Sequence, residues 1–182
     1  MPEYIDVLNK DGSPAKIKKL KSEIHKTGDW HRTVHVWILN SKKELLIQLR
    51  SPNKENFPNL WDISAAGHIS AGEDSQTGAI REMKEELGLD IRAEDLVFLK
   101  EVITEDVLNL KSGPYFDNEF HDVYLVTKDI DIKSLTLQKE EVAEVCWIPY
   151  LELEKDLKTH PENYIDQGEE YDVLFAYIKS LK

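Results

Sequence analysis

The chain has 182 residues, 41% of them hydrophobic and 32% charged, with a formal net charge of −12. Such a composition fits one folded domain with a sizeable core and excludes a disordered chain, and the negative charge disfavours binding duplex nucleic acid through its phosphates. No apolar run approaches the ~18 residues a membrane span needs, the N-terminus carries no secretory hydrophobic region, and a lone Cys146 rules out a disulfide framework. A cytoplasmic protein that does not engage the membrane is expected.

In chain order, Tyr4 to Asn9 alternates as a strand, and Asn9-Lys10-Asp11-Gly12 turns the chain into a second strand over Ala15–Leu20. Lys16, Lys18, Lys19 and Lys21 form a basic cluster whose simplest meaning is a solvated edge strand. Arg32–Leu39 and Glu44–Arg50 read as a strand pair across Asn40-Ser41-Lys42-Lys43, and Trp61–Ala66 as a short strand. Val97–Thr104, Glu119–Thr127 and Val142–Ile148 are rich in β-branched and aromatic residues and read as further strands. Pro149 opens a helix to about Leu157, and after Pro161 a final helix runs from about Tyr164 to Leu181. Cys146 lies in the apolar run Val145-Cys146-Trp147-Ile148, which predicts an inert, buried thiol. Strands and helices alternate in mixed order, which predicts an α/β or α+β fold.

The chemistry concentrates between residues 67 and 89. Ala79, Ile80, Met83 and Leu87 recur at helical spacing and define an inward face. Glu82, Glu85 and Glu86 stand at i, i+3 and i+4, so their carboxylates share another face and repel one another unless a cation sits among them. A hard divalent cation, Mg²⁺ or Mn²⁺, suits such oxygens and bridges to substrate phosphates. Gly88 supplies a left-handed stop for the helix. Gly67 and Gly72 bracket a tight loop from which Glu73 can reach the same metal, and Arg81 is placed to orient the glutamates by a bidentate ion pair. An isolated Glu-x-x-Glu-Glu would more simply be a solvated helix face. Here Gly-x5-Glu, Arg81 and Leu87-Gly88-Leu89 coincide with it.

The run Gly67-x5-Glu73-x7-Arg81-Glu82-Met83-x-Glu85-Glu86-x-Gly88-Leu89 resembles the signature of the Nudix hydrolases and matches it at every specified position. The resemblance implies a Nudix α/β/α sandwich with a mixed sheet, spanning residues 1–182, with an extension over residues 1–30, the signature over 67–89 and a C-terminal helix over 161–182. It also implies metal-dependent hydrolysis of a diphosphate linkage, with Glu82, Glu119 or Glu144 as the general base. Trp37, Arg50, Lys54, Phe57-Pro58-Asn59-Leu60-Trp61, Gly67-His68 and Asp117-Asn118-Glu119 resemble the isopentenyl diphosphate isomerase branch of that superfamily. By that resemblance His31, His68, Asp117 and Glu119 fall on metal-ligand positions, Arg50 and Lys54 on diphosphate-binding ones, and His25 stands one residue out of register from a third histidine ligand.

Two departures separate the chain from the isomerases. Ala66 stands where they carry a catalytic cysteine, and alanine has no proton to exchange. The Arg-Glu-x-x-Glu-Glu run, degraded in the isomerases, is whole here. A hydrolase of a nucleoside diphosphate derivative or related diphosphate is the leading expectation. An isomerase-like enzyme and a Nudix module that binds a diphosphate ligand without turnover are the rivals. The partner is then a small molecule, and the resemblance allows a homodimer. His31 and His35 lie close to a strand, where a hydrogen-bonded histidine is the default, and His121 and His160 have no motif support.

Overall fold

The computed structural model describes residues 2–181; Met1 and Lys182, the ends of the expected domain span, lie outside them. Nine strands form two sheets. β1 (Tyr4–Leu8) and β2 (Pro14–Leu20) pair as an antiparallel hairpin. The larger sheet holds β3 (His31–Leu39), β4 (Glu44–Arg50), β5 (Trp61–Asp62), β6 (Ala65–His68), β7 (Leu96–Leu110), β8 (Gly113–Thr127) and β9 (Val142–Pro149). Its order is β5-β4-β3-β8-β7, with β6 also on β3 and β9 also on β4. β3 and β8 run parallel and the other pairs are antiparallel, so the sheet is mixed.

Alternation along β3 decides what covers each face. Val34, Val36 and Ile38 point to one side and pack against Ala79, Met83 and Leu87 of α2 (Ser75–Leu87). Trp37 and Leu39 point to the other side, where Leu153 of α3 (Tyr150–Thr159) and Leu174, Phe175 and Ile178 of α4 (Glu169–Ser180) close a second core. The result is the expected α/β/α sandwich. No helix among the described residues is long and apolar enough to cross a membrane.

The sheet forks at its centre. β3 pairs with β4 only through Ile38–Leu46 and Leu39–Leu45, after which β6 takes the place beside β3 from Val36 to Thr33. The expected single strand Trp61–Ala66 is therefore two. Trp61–Asp62 belongs to β4, Ala65–His68 belongs to β3, and Ile63-Ser64 crosses between them. Buried Ser64 holds the crossing, because its hydroxyl accepts from the Ile38 N–H at 2.8 Å and donates to the Leu46 carbonyl at 2.5 Å.

Three further differences from the expected elements have local causes. A seven-residue helix, α1 (Lys21–Thr27), follows β2, so Lys21 begins a helix rather than ending the basic edge strand. So short a helix is marginal alone; Ile24 anchors it to Ile5 and Val7, and Gly28 ends it in the left-handed conformation at φ 71°. β7 and β8 run on as a hairpin of two 15-residue strands past the expected Thr104 and Glu119 limits, although Asp106, Asn109, Pro114 and Asp117 disguise the alternation there. The last helix begins at Glu169, not at Tyr164, because Tyr164 bridges to Trp61 and the Ile165 N–H donates to the Trp61 carbonyl. Gly168, at φ 53°, then turns the chain into the helix. Cys146 is half-buried, and burial followed by the charge of Glu144 pushes its thiol up to about 11, as an inert thiol requires.

α4 is fastened to β3 by a buried carboxylate. Glu170, 1% exposed, accepts from His35 Nδ1 at 2.7 Å and from Trp37 Nε1 at 2.7 Å. Burial lowers the affinity of His35 for a proton, but the charge and hydrogen bond of Glu170 outweigh it and raise the imidazole to about 9. A histidine whose folded value lies above its unfolded ~6.5 stabilises the fold fully below that value and loses the contribution as pH rises through about 9. Denaturant unfolding of the wild type should therefore lose up to ~3 kcal/mol between pH 6.5 and 9.5 relative to H35Q, measured over the same range. Parallel pH profiles for the two proteins would show that His35 is not charged in the fold.

Candidate active site

A cavity of about 440 Å³ opens where the sheet forks. The signature helix supplies one wall. α2 starts at Asp74, whose carboxylate accepts from the Thr77 N–H at 2.8 Å. It stops at left-handed Gly88, where the N–H groups of Gly88 and Leu89 close onto the carbonyls of Lys84 and Met83. Between these caps the glutamates are not a solvated face. Glu82 and Glu86 are each only 6% exposed, while Glu85 reaches the cavity from a more open position.

Arg81 binds this acidic group together. Its Nε and Nη2 donate to the two oxygens of Glu73 at 3.1 and 2.9 Å, and its Nη1 donates to Glu82 at 2.6 Å and to Glu85 at 3.3 Å. Nη2 also reaches the His68 carbonyl at 2.7 Å, which ties the helix to the end of β6. Gly67 is the point of closest approach. A Cβ there would stand 2.0 Å from the Glu82 carboxyl carbon, so only glycine lets the helix carboxylate lie against the strand.

Glu86 has no such cation. Burial, then the charge of Glu82, pushes its carboxyl up to about 8. Its Oε2 accepts from the Ala66 N–H and from Gln48 Nε2, both at 3.3 Å, and buried Gln48 Oε1 is without a hydrogen-bond partner among the described residues. Buried carboxylates that repel, next to an orphaned amide oxygen, form an oxygen-rich donor set that fits a hard divalent cation.

A second group of donors adjoins the same cavity: His25, His68 and Glu119 line it, and fully buried His31 lies beside them without lining it. His25 from α1, His31 from β3, His68 from β6 and Glu119 from β8 bring one ligand atom each to within 4.8 Å of one another. His31 Nε2 lies 3.2 Å and His25 Nε2 3.7 Å from Glu119 Oε1, and the Nε2 atoms of His25 and His68 are 2.8 Å apart. The far nitrogens of two rings are occupied: His31 Nδ1 meets the Asp29 carbonyl at 2.9 Å and His25 Nδ1 meets the Phe116 carbonyl at 3.1 Å. Backbone partners of this kind fix the tautomer that leaves Nε2 free to ligate. Burial holds His25 and His68 below the ordinary histidine range. Burial works against the charge on Glu119, but the His31 hydrogen bond and charge keep its carboxyl well below the usual value. Neutral imidazoles around an ionised carboxylate suit a borderline divalent ion.

The structure brings together most of the residues singled out in the sequence. Glu82, Glu85, Glu86, His68, Glu119 and Asp117 all line the cavity, as do Arg50 and Lys54. Arg50 donates to Asp62 at 3.2 Å and to Asn56, and Lys54 pairs with Glu141. Glu73 lies behind Arg81, while Glu144 is exposed on β9 and is not among the residues lining the cavity. His25 joins the cluster despite its displaced register, because α1 turns its ring inward. His35 and His121 also line the cavity, although no motif marked them. For His35 the signal was the run His31-x-Thr33-x-His35, which places three polar side chains on one face of a strand.

Comparison with known proteins agrees with this geometry. The NUDIX domain family matches residues 29–167. Nudix hydrolase 3 of Arabidopsis thaliana is 44% identical over 97% of this chain, and the chain spans only 23% of that protein's length. An uncharacterized Nudix hydrolase of Listeria innocua is 38% identical over 84% of this chain and 83% of its own length. The fold is shared with the crystal structure of DR0079 from Deinococcus radiodurans, at a TM-score of 0.73 and 22% identity over 96% of this chain and 98% of that one. With the complete signature on the helix that lines the cavity, a NUDIX domain match over residues 29–167 and a relative 38% identical over 84% of this chain, the chain belongs to the Nudix hydrolase family.

Proposed function

We propose that the chain hydrolyses a diphosphate linkage, in a nucleoside diphosphate derivative or a related diphosphate, with Mg²⁺ or Mn²⁺ as cofactor. The observation that carries this reading is the burial of Glu82 and Glu86 beside Glu85 at a cavity that Arg50 and Lys54 also line. Glu82, Glu85 and Glu86 would hold the cation, with Glu73 assisting. A bound divalent ion neutralises phosphate charge and lowers the pKa of a coordinated water. Arg81 keeps the glutamates in position through its ion pairs and does not need to touch the substrate. Arg50 and Lys54 would clamp the distal phosphate by exchanging Asp62, Asn56 and Glu141 for phosphate oxygens. Glu82 or Glu119 would take the proton from the attacking water; exposed Glu144 drops out of that role. His31, His68 and Glu119, joined by His25, would form a second cation site in the same cavity. The whole chain is read as one catalytic unit with residues 1–30 as its extension, and the single Cys146 suits a reducing compartment such as the cytoplasm.

Glu86→Gln keeps the size of the side chain and removes its charge. Turnover of a diphosphate substrate that the wild type cleaves, found by screening in Mg²⁺ and Mn²⁺, should fall roughly 10²-fold or more. Near-wild-type rates in this variant would defeat the assignment.

The histidine cluster favours a second reading, isomerisation of isopentenyl diphosphate, because His25, His31, His68 and Glu119 converge as a credible metal site. Against it, Ala66 offers no acid or base toward an alkene carbon, a contribution typically worth ~10²–10⁴-fold. Incubation with isopentenyl diphosphate and Mg²⁺ or Mn²⁺ should give no dimethylallyl diphosphate at enzymatic rates. Its appearance would replace hydrolysis by isomerisation, whereas phosphate release would identify an isoprenoid diphosphate hydrolase.

A further inference from the structure

The geometry points to His35 as a substrate-binding residue of the same cavity: we propose that its Nε2–H donates to a phosphoryl oxygen of the diphosphate, with Glu170 as the residue that positions it. The inference rests on the hydrolytic reading for its substrate class.

Three observations carry it. The ring of His35 is built into place, since its Nδ1 is bound at 2.7 Å by Glu170, and Glu170 is itself held at 2.7 Å by Trp37 Nε1. Nε2 makes no hydrogen bond among the described residues, although the side chain is only 7% exposed and lines the cavity. A buried ring with one nitrogen anchored and the other aimed into an open cavity is half of a binding contact. The third observation is register. His35 stands directly opposite Ala66 in the β3–β6 pair, on the face that also carries His31, so the small side chain of Ala66 leaves the ring uncovered.

The charge state fits the role. Because Nδ1 donates to Glu170, a neutral ring would present Nε2 as an acceptor, which phosphate oxygens cannot use; a protonated ring presents a second donor. The groups facing the ring are Glu170 from α4, Asp62 from β5, and His121 and Glu119 from β8, and the three carboxylates favour the protonated form. His121, stacked on His35 with centroids 4.2 Å apart, is bound on both nitrogens by Thr33 and Thr104 at 2.7 and 2.8 Å. Burial, and then the charge of His35, pulls His121 down to about 4. In a cavity walled by Glu82, Glu86, Asp117 and Glu119, a cation on β3 gives the diphosphate a partner besides Arg50 and Lys54.

Binding of inorganic pyrophosphate to the full chain in Mg²⁺, followed by calorimetry, tests the proposal without requiring turnover. H35Q should weaken binding roughly tenfold or more, the usual loss for a hydrogen bond to a charged group. E170Q removes the carboxylate charge and leaves one acceptor oxygen where Glu170 offers two, to His35 Nδ1–H and Trp37 Nε1–H. It should weaken binding severalfold and shift the loss of affinity on raising pH from about 9 toward ~6.5. A purely structural role for Glu170 would not move that profile. Should H35Q fail to fold, E170Q and the ¹⁵N signal of His35 Nε2 in the wild type decide the matter, since pyrophosphate should shift that signal. Unchanged affinity in the variants, or an unmoved Nε2 signal on saturation, overturns the proposal. Failure of the hydrolytic reading looks different, for the wild type would then bind pyrophosphate through His35 yet cleave nothing in the substrate screen.

Discussion

The arrangement of the site depends on placing several carboxylates close together away from bulk water, and Arg81 is the group that makes this tolerable. A like-charge cluster on a helix is unfavourable, and burial makes each charge costlier still. The guanidinium answers both effects by donating to Glu73, Glu82, Glu85 and the His68 carbonyl at once. Those contacts join loop, helix and strand, so the ion network also sets the distance between α2 and β6. Glycine at position 67 is the steric counterpart of the same constraint, because the strand must come within contact of the Glu82 carboxylate. What Arg81 does not neutralise is Glu86, whose carboxyl burial and then the charge of Glu82 push up to about 8.

The fork in the sheet turns this helix wall into a cavity. Had β4 stayed beside β3, the space would be filled by a continuous sheet and its side chains. β4 departs after two residue pairs and Ser64 carries the chain across the gap, so polar residues from β3, β6 and β8 face one another at depth. The floor is a ladder of alternating strand positions. His31 lies beside Glu119 and Thr33 beside His121 in the parallel β3–β8 register, with His35 one step further in. Its polarity is paid for locally, for nearly every ring nitrogen there has a partner.

The segment ahead of the matched NUDIX domain is more than an appendage. β1 bonds to the signature loop through Tyr4 and Asp6, which accept from the N–H groups of Ala71 and Gly72. α1 then delivers His25 to the histidine cluster, and the distal arm of β7–β8 lies over that helix, with Tyr115 stacked on the His25 ring at 4.1 Å. Extension and hairpin arm thus fold onto each other above the metal-ligand candidates, although about 90 residues separate them in sequence.

The α2 helix, its Gly88 stop and the shared face of its carboxylates were legible from residues 67–89 alone, because the cap, apolar spacing and carboxylate spacing are local properties of a 3.6-residue period. The sandwich followed from strand alternation and from the order of elements. Burial of Glu82 and Glu86 was not legible, since spacing tells which residues share a face and not what lies against it. Nor was the place of His25, where a short helix held by tertiary contacts corrects a one-residue offset, or the length of β7–β8, whose polar arm is ordered by pairing rather than by propensity. His35 shows the division most clearly. Its position on a strand face could be read from alternation, but its partner Glu170 lies 135 residues away. Only the packing of the last helix onto the sheet decides that one nitrogen is anchored and the other left facing the cavity.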